Sequence, residues 1–254
     1  MNALELNSTR VNIGNARLYS MEKDLGLVGN QYQAAVSLVF VTYVLFETPS
    51  NMVLKKFTPR LWISLITTLW GIIATLTGLC NTYGQLIACR LLLGTVEAGL
   101  FPGLTVYLTF FYTKKELGMR VGFLLVSAAI AGALGGLLAF AIGSMDGISG
   151  LHGWRWIMII EGLPSFVLGI IAFFALPNNP DTAYFLDAGD RALVQARRDA
   201  EYGQTASAQN FNRKDALKGF KDWKIWLMAT GQFGIDTMLY GTVLNLTVRM
   251  KFEG

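Results

Sequence analysis

Apolar residues in this chain come in long blocks, and polar residues fall between them. Six blocks reach the ~20 residues that carry a helix across a bilayer. They are Gln33–Leu54, Leu61–Cys80, Leu86–Tyr112, Val121–Ile142, Trp156–Leu176 and Ile225–Val248. None shows the sustained period-two alternation of a half-buried strand. The pattern predicts an all-α polytopic membrane protein.

The connecting segments assign an orientation. Lys55, Lys56 and Arg60 follow the first block, and Lys114, Lys115 and Arg120 separate the third from the fourth. A long polar stretch after the fifth carries Arg191, Arg197, Arg198, Arg213, Lys214, Lys218, Lys221 and Lys224. The alternate connections are poor in basic residues: Asn81–Gln85 has none, and Met145–Arg155 has only Arg155. Basic loops stay on the cytoplasmic side. The expectation is a multi-pass plasma-membrane protein, with residues 177–223 cytoplasmic and Asn81 and Asp146 outside. Within 177–223, Asp187–Glu201 is expected to form a charged surface helix. Four regions follow: 1–32, the end of a helix and its outer loop; 33–176, a transmembrane bundle; 177–223, a central loop; 224–254, one further helix. Both ends look cut. Residues 12–27 alternate polar and small positions, like the outer end of a helix, and the last block stops just short of Gly254.

Composition agrees with lipid as the solvent. Of 254 residues, 53% are hydrophobic and 15% charged, against about 25% charged in soluble domains. The net charge of +4 sits in the loops, so it argues for topology and against a nucleic-acid partner. Cys80 and Cys89 are too few for a disulfide scaffold and lack metal-ligand spacing, so they read as small apolar residues. His152 is the one histidine and reads as a loop residue. Trp154 and Trp156 read as interfacial anchors. No metal or cofactor is expected. With no nucleophile–base constellation, neither is an enzyme.

Candidate chemistry lies in charges inside the blocks, each costing about 2.5–3.5 kcal/mol at a helix centre. Such charges persist where they pair or line a wet cavity. Arg90 and Glu97 are seven residues apart, nearly two turns, and so share one helix face. Small residues Gly94, Ala98 and Gly99 beside them admit a neighbouring helix. One reading has Arg90 snorkelling to the outer headgroups and Glu97 pairing with another helix. The other has Glu97 exchanging a proton and Arg90 tuning it or meeting an anion. Glu161, before Pro164, reads as a structural pair. Asp236, among Gly231, Gly234 and Gly241, is a candidate cavity residue. Gly132 and Gly136 suggest a packing face.

Specific motifs add to this. They are Asn12-Ile13-Gly14-Asn15-Ala16, Met21-Glu22-Lys23-Asp24-Leu25 and Phe46-Glu47-Thr48-Pro49-Ser50-Asn51. Arg90-Leu91-Leu92-Leu93-Gly94-Thr95-Val96-Glu97-Ala98-Gly99 follows, then Phe101-Pro102-Gly103. Gly153-Trp154-Arg155-Trp156, Glu161-Gly162-Leu163-Pro164 and Leu176-Pro177-Asn178-Asn179-Pro180 complete the set. Together they resemble the major facilitator superfamily, and within it the fungal anion:cation symporters of the allantoate permease group.

The resemblance implies a transporter of two six-helix bundles that rock by alternating access. This chain would hold a stub of helix 1, helices 2 to 6, the central loop and helix 7. Arg10 falls where the family places an arginine in helix 1, although Thr9 stands where an Asp is usual. The resemblance implies substrate binding by Arg10, Asn12 and Asp236, proton coupling by Glu97 with Arg90, and structural or gating roles for Glu161, Lys55, Lys56 and Arg120. The fourth block lacks the proline typical of antiporters, which favours symport. The expected function is proton-coupled symport of a small organic anion, a carboxylate or vitamin-like solute. The alternative is a membrane protein that transports nothing: an incomplete gene product, or a sensor or partner subunit.

Overall fold

A computed structural model describes residues 13–54, 57–202, 221–224, 226–228, 230–231 and 234. Arg10, Asn12, Lys55, Lys56 and Asp236 lie outside the described residues, as does most of the sixth apolar block. The chain divides into two compact units, Met1–Tyr202 and Gly203–Gly254. In the second unit the described residues between 221 and 234 are almost all helical.

The first unit is helical throughout its regular structure. Among the described residues, five helices are long and apolar enough to cross a membrane: α1, Gln31–Leu54; α2, Pro59–Thr77; α3, Tyr83–Leu108; α4, Lys114–Gly143; and α5, Gly153–Ala175. They match the first five predicted blocks. A polar helix, α6, Ala188–Tyr202, follows, where the charged surface helix was expected.

Local chemistry sets the boundaries. Pro59 opens α2, where its missing N–H costs nothing. Thr113 and Glu116 form a capping box that starts α4, seven residues before the apolar run begins at Val121. The fold of α3 is interrupted at Ala98–Gly99, between helical pieces Tyr83–Glu97 and Leu100–Leu108. Pro102 has no N–H to give the Ala98 carbonyl, which accounts for a loosened turn there. The ladder resumes with Gly103 N donating to Gly99 O at 3.1 Å.

Packing follows small residues. The longest contact in the bundle joins α2 and α5. A methyl at Gly71 would lie 2.7 Å from Phe166 Cα, and one at Gly78 would lie 2.7 Å from Arg155 O. From the other side, methyls at Gly162 and Gly169 would lie 2.6 Å from the amide nitrogens of Thr75 and Thr68. The two helices therefore touch backbone to backbone. Similarly, α1 and α3 meet where Gly94 abuts Val39 and Thr42, and Gly99 abuts Ser50.

The packing face expected from Gly132 and Gly136 is displaced by one residue. A methyl at Gly136 would meet nothing within 4 Å. The buried small residues of α4 are Ala131, Gly135, Ala139 and Gly143, spaced four apart on a single stripe. Glycine spacing alone gives the period and leaves the phase open.

Residues before α1 close one end of the bundle. A helical stretch at 13–18 leads to a turn at Met21–Asp24. Ile13, Ala16, Met21 and Leu25 are buried with Leu86, Trp154 and Met158. At the opposite end, Arg60 Nε donates to Phe173 O and its guanidinium lies over the Phe173 ring. Tyr107 Oη donates to Pro177 O at 2.9 Å.

Candidate functional site

On α3, Thr82 begins the helix by accepting from Gln85 N at 3.3 Å. The first helical piece buries Leu86, Arg90, Leu93, Gly94 and Glu97. Arg90 and Glu97 stand about 10.5 Å apart along the axis, with Gly94 pressed against α1 between them. Arg90 is 2% exposed and Glu97 1%. This corrects the snorkelling alternative: Arg90 points into the bundle, away from the headgroups.

Two guanidinium nitrogens of Arg90, Nε and Nη2, are buried with no hydrogen-bond partner among the described residues. Buried N–H groups of a cation are costly to leave unmatched, about 1–3 kcal/mol or more each. An arginine with donors to spare is suited to a planar anion such as a carboxylate. At an effective dielectric near 20, unit charges about 10 Å apart interact by ~1.7 kcal/mol. An ionised carboxylate at Glu97 would act on Arg90 with an attraction of that order.

Arg17 and Tyr32 add a second basic element near the same end of the bundle. The Arg17 guanidinium lies 4.6 Å from the Tyr32 ring centroid and pairs with Glu22 at 2.9 Å. Tyr32 Oη donates to Ile13 O at 3.1 Å.

A polar cluster that sequence reasoning missed sits at the end formed by residues 19–30, 78–83 and 144–155. Asp24 Oδ2 accepts from Trp154 Nε1 and from Arg155 Nε, each at 2.9 Å. Arg155 Nη2 lies 2.9 Å from the same oxygen. Arg155 also donates to Gly78 O at 3.3 Å and to Asn81 Oδ1 at 3.0 Å. His152 stands between two carboxylates, with Nε2 3.4 Å from Asp24 Oδ1 and Nδ1 3.5 Å from Asp146 Oδ1. Asp146 Oδ1 also accepts from Gly153 N at 2.7 Å and so helps start α5.

Two readings change accordingly. Trp154 is fully buried and hydrogen-bonded, so it is no interfacial anchor. His152 bridges two acidic groups and is more than a loop residue. The signal was present in Gly153-Trp154-Arg155-Trp156, but nothing local in that motif names Asp24.

The remaining predicted residues disperse. Glu161 lies on α5, more than two turns after Gly153, next to the buried Gly162, and its backbone carbonyl accepts from Ser165 Oγ at 3.2 Å. Arg120 is exposed on α4, its guanidinium 4.7 Å from the Tyr112 ring centroid. Neither stands beside Arg90 in sequence or on its helix. Among the described residues no group of three or more His, Cys, Asp or Glu is placed to hold a metal.

Comparison with known proteins places these features in context. The model of the Major Facilitator Superfamily matches residues 8–253. An uncharacterized transporter of Schizosaccharomyces pombe is 41% identical over 91% of this chain and 46% of its own length. A major facilitator-type transporter of Emericella nidulans, hxnP, is 34% identical over 93% of this chain and 48% of its own. The chain spans about half the length of the curated relatives it matches. A solved structure shares the fold at TM-score 0.64 and 20% identity, covering 70% of this chain and 43% of that one. It is a bacterial homolog to the human lysosomal transporter Spinster, in an inward-facing and occupied conformation.

Proposed function

Because the chain belongs to the major facilitator superfamily, with five helices among the described residues fit to cross a membrane, we propose that it forms part of a proton-coupled symporter for small organic anions. The observation that carries this reading is Arg90, buried in the bundle with two hydrogen-bond donors unmatched among the described residues. Glu97, nearly two turns along the same helix, supplies a titratable group on the same face.

In this mechanism Arg90 holds the carboxylate of the solute. Protonation of Glu97 removes a negative charge from the neighbourhood and strengthens that hold. Loss of the proton on the inner side weakens it and favours release. Arg10, from the segment before α1, would supply a second cationic contact. Asn12 and Asp236 would be further contacts for the solute. Lys55, Lys56 and Arg120 would act at the inner gate, and Glu161 would brace α5. Residues 177–223 would be cytoplasmic, and the membrane would be the plasma membrane. Relatives with transporter names, and a Pseudomonas putida relative named for metabolite transport, support the class of activity. Its sequence motifs would place it in the allantoate permease group.

Uptake of labelled monocarboxylates into vesicles bearing the full-length protein tests the reading. An imposed inward proton gradient should accelerate uptake severalfold, and Glu97→Gln should abolish that acceleration while leaving binding of the anion. Gradient-driven uptake that survives Glu97→Gln would remove Glu97 from the coupling. Uptake indifferent to the gradient in the unaltered protein would end the symport proposal.

A further inference from the structure

We propose that Cys80 and Cys89 form a reversible disulfide, a modification site that staples the end of α2 to the first turns of α3. In sequence the pair carries no pattern. In the structure the sulfur atoms lie 3.7 Å apart, and both thiols are free. A disulfide needs ~2.05 Å between sulfurs, so about 1.7 Å of approach remains, within reach of side-chain rotation and small shifts of the connecting turn. Cys80 lies just past the end of α2, in a turn closed by Leu79 N to Leu76 O at 3.0 Å and Cys80 N to Thr77 O at 3.3 Å. Cys89 is held on the regular helix that Thr82 begins. One thiol therefore sits on a turn able to adjust, and its partner on a fixed frame.

Exposure gives the two thiols different parts. Cys80 is buried and Cys89 is partly exposed. A small disulfide oxidant such as oxidised glutathione reaches Cys89 first. The Cys89 thiolate attacks one sulfur of the oxidant, forming a mixed disulfide and expelling one glutathione thiolate. The Cys80 thiolate then attacks the Cys89 sulfur, closing the internal bond and expelling the second glutathione. Two protein thiols are oxidised, one glutathione disulfide is reduced to two thiols, and the two protons pass to the departing thiolates. The turn that carries Cys80 also supplies Gly78 O and Asn81 Oδ1 to Arg155, so the staple acts beside the Asp24–Arg155 cluster. On the orientation read from loop charge, this end faces the extracytoplasmic space, where disulfides persist.

The test uses the full-length protein in detergent, treated with oxidised glutathione, then denatured, alkylated and digested for mass spectrometry. The expected result is a Cys80–Cys89 linked peptide, two hydrogens lighter, with alkylation at both sites restored by dithiothreitol. Cys80→Ser should trap a glutathione adduct on Cys89. Cys89→Ser should leave Cys80 alkylated as fully as without oxidant. Full alkylation of both cysteines after oxidant, in the unaltered protein, overturns the proposal whether or not the variants fold. An adduct on Cys80 in Cys89→Ser, with none on Cys89 in Cys80→Ser, overturns the assigned order of attack.

Discussion

Asp24→Ala is the sharpest probe of the polar cluster. The carboxylate is 17% exposed and the Arg155 side chain 9%, so the pair is mostly desolvated. Alanine leaves Arg155 with Gly78 O and Asn81 Oδ1 as partners and no carboxylate, and leaves the fully buried Trp154 without the acceptor of its indole N–H. Removing one member of a buried ion pair costs about 3–5 kcal/mol. The residual exposure of Asp24 selects the low end, about 3 kcal/mol. At ~2–4 °C per kcal/mol for chains of this size, the melting temperature should fall by roughly 6–12 °C. The assay is fluorescence-detected size-exclusion of the full-length protein after graded heating in detergent. The double variant Asp24→Ala with Arg155→Leu removes the orphaned cation, and should recover about 1 kcal/mol or more relative to additivity. A single variant that melts within 2 °C of the parent, or a strictly additive double, refutes the assignment of Asp24 as the partner that neutralises Arg155.

Gly71→Ala places a methyl against the Phe166 backbone and should cost about 1–3 kcal/mol through forced separation of α2 and α5, seen as reduced yield of the monodisperse peak. Gly136→Ala, where the same methyl meets nothing within 4 Å, should leave that peak unchanged. Arg197→Ala breaks an exposed pair with Glu116 at 3.3 Å. It should leave the melting temperature unchanged in the same heating assay, because a solvated surface pair adds little to stability.

Much of the fold was legible in the sequence because hydrocarbon imposes a simple rule. Every backbone polar group must be satisfied within the segment, so a long apolar run becomes a helix. The predicted starts were late for a related reason. Helices α3, α4 and α5 begin at Tyr83, Lys114 and Gly153, because capping extends them through polar residues that hydropathy assigns to loops. The break at Ala98–Gly99 was hidden within a continuous apolar run.

The site was legible only along one helix. Arg90 and Glu97 are related by helical geometry alone, so spacing placed them on a shared face, and burial then excluded the headgroup alternative for Arg90. Asp24 and Arg155 are 131 positions apart in sequence, and only the packed bundle brings them together. The same holds on a shorter scale for Cys80 and Cys89, which meet across a helix–helix turn whose geometry no local pattern states. The Gly132–Gly136 expectation failed because a helix has several equivalent faces, and burial chooses among them.

Gly71 and Gly78 on α2, and Gly162 and Gly169 on α5, bring the two backbones together at four points, with Thr68, Thr75 and Ile159 fitted against them. A displacement applied to one helix is therefore passed to the other at these contacts. The pair is a single mechanical member, a beam running from one face of the membrane to the other. Bending within this part of the bundle is then taken up elsewhere, and the loosened turn of α3 beside Pro102 is one place where the helix ladder leaves room for it.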